Sequence, residues 1–122
     1  MPGDAERIVG RQLDAYNAKD IDAFAACWHA DARIFAHPDT LLVEGIEAIR
    51  ARHVLRFQEP DLFGKLLSRI SVGNLVVDHE LVTRNFPEGL GEVDVIAIYE
   101  VVEGRIAAAW FKQGEVRLRP QG

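Results

Sequence analysis

The chain has 122 residues, 48% hydrophobic and 27% charged, which suits a single soluble domain over residues 1–122 with a real core. Its net charge of −5 argues against non-specific nucleic-acid binding, which needs clustered positive charge to neutralise phosphates, and against docking on an anionic membrane surface. No apolar run approaches the roughly 20 residues of a membrane span, and the opening MPGDAER lacks the charged-then-apolar pattern of a signal peptide, so a cytoplasmic location is expected.

Residues 4–18 repeat apolar positions at helical spacing through Ile8, Val9, Leu13 and Tyr16, with Asp4 expected to cap the start. Gln12 interrupts this stripe. An amide there is either satisfied by backbone or is a donor facing a cavity. Asn17 to Asp20 forms a tight connection, with Asp20 as N-cap and Asp22 in the first turn of a helix over about 21–28. That helix should bury Ile21, Phe24, Ala25 and Trp28. The lone Cys27 excludes an internal disulfide, fits a reducing compartment and has no adjacent base to make it a nucleophile. Residues 32–36 read as a strand with Ile34 on one face and Arg33, Phe35 and His37 on the other. Pro38-Asp39 is a turn and Leu41 to Val43 a return strand. Gly45 opens a helix over about 46–58 whose apolar face is Ile46, Ile49, His53 and Phe57; Arg50, Arg52 and Arg56 are expected on a solvated basic face.

After a loop over 58–65 the chain becomes β-rich. Residues 66–77 form a long run broken at Gly73-Asn74. Asp78-His79-Glu80 reads as a solvated polar turn, and 81–86 as a strand. Residues 87–91 read as a hairpin loop. Residues 93–102 are apolar on both faces, with Val93, Val95, Ala97 and Tyr99 on one and Ile96 and Ile98 on the other. Glu103-Gly104 is a two-residue turn, 106–116 the last strand and 117–122 a polar tail. Helices first and antiparallel strands afterwards give an α+β domain with helices on one sheet face. The second apolar face of strand 93–102 predicts a homodimer through the sheet. Arg69 and Arg84 are expected to pair with Glu80, Glu92 or Asp94, or else to anchor an anionic substrate. No Cys/His cluster has metal-ligand spacing, so no metal and no cofactor is expected.

The element order, with Ala15-Tyr16-Asn17-Ala18-Lys19-Asp20-Ile21-Asp22, then Asp31-Ala32, Glu44-Gly45-Ile46-Glu47-Ala48-Ile49-Arg50 and finally Tyr99-Glu100-Val101 with Gly104-Arg105-Ile106, resembles the nuclear transport factor 2-like superfamily over about residues 5–114. Within it the chain is most similar to the SnoaL-like and steroid delta-isomerase branch. The resemblance implies a curved, mostly antiparallel sheet wrapped round three helices as a cone, an apolar cavity between them and a convex face that often dimerises. The ketosteroid isomerases of this superfamily use an aspartate base, a tyrosine and a protonated aspartate. Carried over, the base falls on His37, the tyrosine near Gln12, the second acid near Ala97 and a supporting tyrosine of the third helix on His53. That catalytic set is not reproduced.

His37 and His53 are therefore the candidate catalytic pair, because an imidazole of ordinary pKa, about 6.5, titrates close to working pH. Gln12 would donate to a carbonyl or a developing enolate. Tyr16, Trp28, Phe35, Phe57, Ala97, Tyr99, Ala109 and Phe111 complete the expected ligand-binding set. Proton transfer next to a carbonyl in a small apolar molecule, as an isomerase, cyclase or dehydratase, is one function this supports. A non-catalytic ligand-binding module and a dimeric accessory module remain as alternatives, since the superfold hosts all three.

Overall fold

The computed structural model describes residues 3–120. Its first half holds α1 (Asp4–Ala18), α2 (Ile21–Ala26), β1 (Trp28–Ala36), β2 (Thr40–Glu44) and α3 (Ile46–Arg56). The second half is β3 (Phe63–Val72), β4 (Leu75–Phe86), β5 (Gly89–Val102), β6 (Arg105–Gln113) and the short β7 (Arg117–Leu118). The sheet runs β2-β1-β6-β5-β4-β3, with β7 paired to the start of β5. Among the described residues the β1–β6 pairing is the one parallel contact. The three helices pack on one face of this mixed, mostly antiparallel sheet, the α+β cone that the sequence implies. No helix among the described residues is long and apolar enough to cross a membrane.

The strands alternate as the core requires. Val93, Val95, Ala97, Tyr99 and Val101 of β5 point at the helices, while Ile96 and Ile98 point away. On the helix side, Val9 of α1, Phe24 of α2 and Ile49 of α3 are completely buried with Val76 of β4 and Ile106 of β6. An aromatic cluster joins the layers. Phe24 lies 4.3 Å from the His53 ring and 5.8 Å from Trp28, and Phe57 meets Tyr16 edge-on at 5.5 Å.

Several local expectations change. Gly3, in the left-handed region at φ 98°, is the N-cap of α1, and Asp4 already lies within the helix. Asp20 does cap α2, its Oδ1 accepting from the Ala23 amide at 3.1 Å. That helix ends at Ala26 rather than 28, because Trp28 already pairs with Ile106 of β6 and Cys27 O accepts from the Ile106 amide. Asp78-His79-Glu80 is not a turn. The chain reverses at Gly73-Asn74, and residues 75–86 form one strand in continuous register with β5. Alternation then sends Asp78 and Glu80 inward and His79 outward, where it meets Asp94 at 2.9 Å. Gly89 to Gly91 belong to β5, and residues 117–118 form β7 across from Gly91 and Glu92. A Cβ on Gly91 would sit 2.7 Å from the Arg117 carbonyl oxygen, so the pairing needs glycine there.

Candidate active site

A cavity of about 460 Å³ opens between the helices and the inner sheet face, within the range of roughly 300–1,000 Å³ usual for small-molecule sites. α1 contributes Gln12, Leu13 and Tyr16, and α3 contributes Arg52, His53 and Arg56. The inner faces of β4 and β5 contribute Glu80, Val82, Arg84, Val93, Val95 and Tyr99. Ile34, Ala36, His37 and Leu42 close one side, with Phe111 to Gln113 of β6.

Both histidines expected from the sequence line this one cavity, as do Gln12, Tyr16, Tyr99 and Phe111. The other expected ligand contacts do not. Trp28 and Phe57 are consumed by the aromatic core, and Ala97 and Ala109 are buried without reaching the cavity wall. Phe35 faces outward, stacked on Trp110 at 5.5 Å with Arg33 over its ring. Ala32 and Ile34 are the inward positions of β1, so strict alternation sends Phe35 to the other side. His37 escapes that parity because the strand ends at Ala36.

The inner face of β4 carries the group that the sequence reading placed in solvent. Glu80 is 6% exposed and lines the cavity, yet no described residue donates a hydrogen bond to its carboxyl. Burial first, then the charge of Asp78, raises its pKa to about 7, with Arg69 working the other way. Two positions along the same face, Asp78 is fully buried but well satisfied. Arg69 grips it with two hydrogen bonds, Nε to Oδ1 at 2.6 Å and the terminal nitrogen to Oδ2 at 2.8 Å. Arg69 thus pairs with Asp78, and Arg84 pairs with Glu59 at 2.6 and 3.2 Å, rather than with the three acids expected. Gly64 on β3 makes room for the Glu80 carboxyl: a Cβ there would lie 2.9 Å from Oε1.

The neighbouring groups are neutral donors and acceptors. Burial, then the charges of Glu80 and Asp78, holds the Tyr99 hydroxyl well above its usual pKa, against the Gln12 side chain beside it. Burial likewise raises Tyr16, against the Arg56 guanidinium. Gln12 is buried beside the Tyr99 hydroxyl, with a long 3.5 Å contact from Nε2 to the Val9 carbonyl, and its amide lines the cavity. His53 donates from Nδ1 to the Ile49 carbonyl at 2.8 Å. Burial lowers its pKa to about 4, chiefly over the opposing effect of that hydrogen bond. It is therefore a neutral ring with Nε2 free to accept, not the near-neutral acid/base expected of an unperturbed histidine. Among the described residues no cluster of three side chains could hold a metal ion.

A buried carboxyl that titrates near neutrality, beside protonated tyrosines and an amide, can give or take a proton while neutral donors hold a carbonyl oxygen. The alternation Val76, Asp78, Glu80, Val82 was the signal for it: two acids at inward positions of an otherwise apolar stripe.

The family model of the SnoaL-like domain matches residues 9–109. This chain belongs to the SnoaL-like family. That places the domain in the nuclear transport factor 2-like superfamily. Similar solved structures include an uncharacterized cystatin-fold protein from Novosphingobium aromaticivorans, with a TM-score of 0.80 at 24% identity over 88% of this chain and 96% of that one. A protein described as a candidate ketosteroid isomerase from Kribbella flavida has a TM-score of 0.78 at 16% identity, over 98% and 84% of the two chains. A candidate polyketide cyclase from Sinorhizobium meliloti has 0.71 at 21%, over 86% and 93%. At these identities the likeness establishes the fold. No curated protein matches this SnoaL-like domain in sequence.

Proposed function

We propose that this SnoaL-like domain is an enzyme that moves a proton next to a carbonyl of a small molecule, in the isomerase or cyclase class, with Glu80 as the proton carrier. The observation behind this is a carboxyl that is buried, unbonded and open to a ligand-sized cavity. The carboxyl opens on the cavity, so water or a ligand can supply the donor that no described residue gives, and a carboxyl of raised pKa on a cavity wall is suited to acid/base work. Tyr99 and Gln12 serve as donors to the carbonyl oxygen, and His53 as an acceptor. His37, the base suggested by the resemblance, lines the same cavity, its amide donating to the Phe111 carbonyl at 2.9 Å, and in this reading it serves as a ligand contact. The likeness to structures described as a ketosteroid isomerase and a polyketide cyclase fits this reaction class.

The test is deuterium uptake. Small ketones, enones and aromatic polyketide-like carbonyls are incubated with the protein in D2O, and exchange at the carbon beside the carbonyl is followed by mass spectrometry. Glu80→Gln should slow exchange by about 10²–10⁴, the usual worth of a placed acid/base, and His37→Ala by much less. Full exchange in Glu80→Gln, with loss in His37→Ala, would move the base to His37. Binding without any exchange would make the domain a ligand-binding module.

We also propose that a second copy covers the outer sheet face. One row of that face runs Leu41, Phe35, Trp110, Ile98, Val77, Ile70 across β2, β1, β6, β5, β4 and β3, apolar in every strand. Ile98→Glu should convert a dimer into a monomer in sedimentation. A wild-type protein that sediments as a monomer would refute it.

A further inference from the structure

We propose that the α3–β4 side of the cavity is a carboxylate subsite, in which Arg52, flanked by Arg56 and Arg84, holds the acid group of an anionic substrate. For the reacting end of that substrate the inference rests on the proton-transfer reading; for the acid end it stands on charge placement alone. Arg52 and Arg56 lie one turn apart, at i and i+4, on the same face of α3. Arg84 projects from the inward face of β4, and all three line the cavity. Glu59 is the one carboxylate among them, and it is already committed. It accepts from Arg84 at 2.6 and 3.2 Å and from the Asn85 amide at 2.9 Å, and it lies 3.7 Å from Arg56. Arg52 has no carboxylate partner among the described residues. Three guanidiniums around one shared carboxylate leave a surplus of positive charge. Burial, then repulsion from Arg56 and Arg84, lowers the Arg52 pKa.

This surplus runs against the composition. The chain has 19 acidic and 14 basic residues, yet the cavity wall takes four of the basic ones, with Lys112 as the fourth, and a single acid, Glu80. Arg52 is itself exposed and Arg56 half-buried, so a solvated face of α3 describes them in part; it does not account for Arg84 of β4, which lines the same cavity with them. A helix C-terminus favours a cation at Arg56, in the last turn, but Arg52 lies outside that turn. A single planar guanidinium can hold a carboxylate in two-pronged fashion, and its neighbours add attraction for the negative charge.

The order along β4 suggests the shape of the ligand. Its inward face reads Glu80, Val82, Arg84, which sets the backbone positions of Glu80 and Arg84 about 13 Å apart along the strand. Val82 and its β5 partner Val93 form an apolar wall in between, with Val95 directly across from Glu80. The substrate class is therefore an elongated keto acid: the carboxylate at the arginines, an apolar body along the valines, and the carbonyl with its abstractable proton at Glu80.

The probes are a series of ω-aryl keto acids of increasing chain length, such as 6-oxo-6-phenylhexanoate, each paired with its methyl ester. Affinity is measured by calorimetry and thermal shift on wild type, Arg52→Gln and Glu80→Gln. Wild type should bind at least one acid tenfold or more tighter than its ester, with the preference falling as salt rises and vanishing in Arg52→Gln. Glu80→Gln should keep the preference. If no acid in the series binds wild type better than its ester, or if Arg52→Gln keeps the preference, the subsite is refuted. Arg52-dependent acid binding with exchange that survives Glu80→Gln would overturn the proton-transfer reading and leave the subsite standing. Exchange lost in Glu80→Gln with no acid preference would do the reverse.

Discussion

Replacing Glu80 with glutamine removes one titration and should tilt the stability curve. In the folded protein the carboxyl keeps its proton up to about pH 7, whereas in the unfolded chain it lets go near the ordinary 4.5. Between those values the folded state binds the extra proton, so the contribution of Glu80 to stability is full below pH 4.5 and is lost as pH rises through 7. At about 1.4 kcal/mol per pH unit this amounts to roughly 3 kcal/mol. His53 works with the opposite sign. Burial lowers its pKa from 6.5 to about 4, so its contribution is full above pH 6.5 and is lost as pH falls through 4. From pH 4.5 to 6.5 the two slopes nearly cancel in the wild type, and the variant exposes the His53 slope. Urea unfolding followed by circular dichroism at pH 4.5, 5.5, 6.5, 7.5 and 8 measures it. Relative to wild type, Glu80→Gln should gain about 3 kcal/mol across that range. A difference between the two proteins that stays constant with pH would refute the assignment of a proton to Glu80 at neutrality.

Arg69→Met leaves the fully buried Asp78 without its two-pronged partner and should cost about 3–5 kcal/mol by urea unfolding; a loss below 1 kcal/mol, on the order of an exposed pair, would mean that water reaches Asp78. Gly64→Ala places a methyl 2.9 Å from Glu80 Oε1 and 3.2 Å from Leu13 Cδ1. It should cost about 1–3 kcal/mol and displace the carboxyl, weakening ligand binding and exchange together; unchanged exchange would show that the carboxyl does not need its seat beside Gly64.

The fold was legible because its pattern is redundant. Ile8, Val9 and Leu13, the cap at Asp20, the Glu103-Gly104 turn and the two-faced strand 93–102 each point to the same arrangement, and the structure agrees with all of them. The site was less legible because charge was read as exposure. Asp78-His79-Glu80 looks like a turn when its three polar residues are taken as a block, and like a buried strand when they are taken two apart between Val76 and Val82. Arg52 is exposed on α3 as expected and Arg56 half-buried; what α3 alone does not show is that Arg84 of β4 lines the same cavity. Phe35 lies opposite Ile34 as expected but does not face the cavity with His37, since β1 ends at Ala36 and His37 leaves the alternation. His37 and His53 reached the cavity, but the burial that lowers the pKa of His53 depends on Phe24 packing at 4.3 Å, a contact between two helices that local sequence does not show.

The central claim is that Glu80 holds a proton near neutrality, and its titration can be read directly. Carboxyl ¹³C NMR of glutamate-labelled protein, with the Glu80 resonance assigned by its absence in Glu80→Gln, gives the midpoint. A midpoint near 7 is the result expected for a carboxyl poised to exchange protons with a ligand. A midpoint at the ordinary value of about 4.5 would mean a carboxylate already ionised at neutral pH, and would contradict Glu80 as the proton carrier.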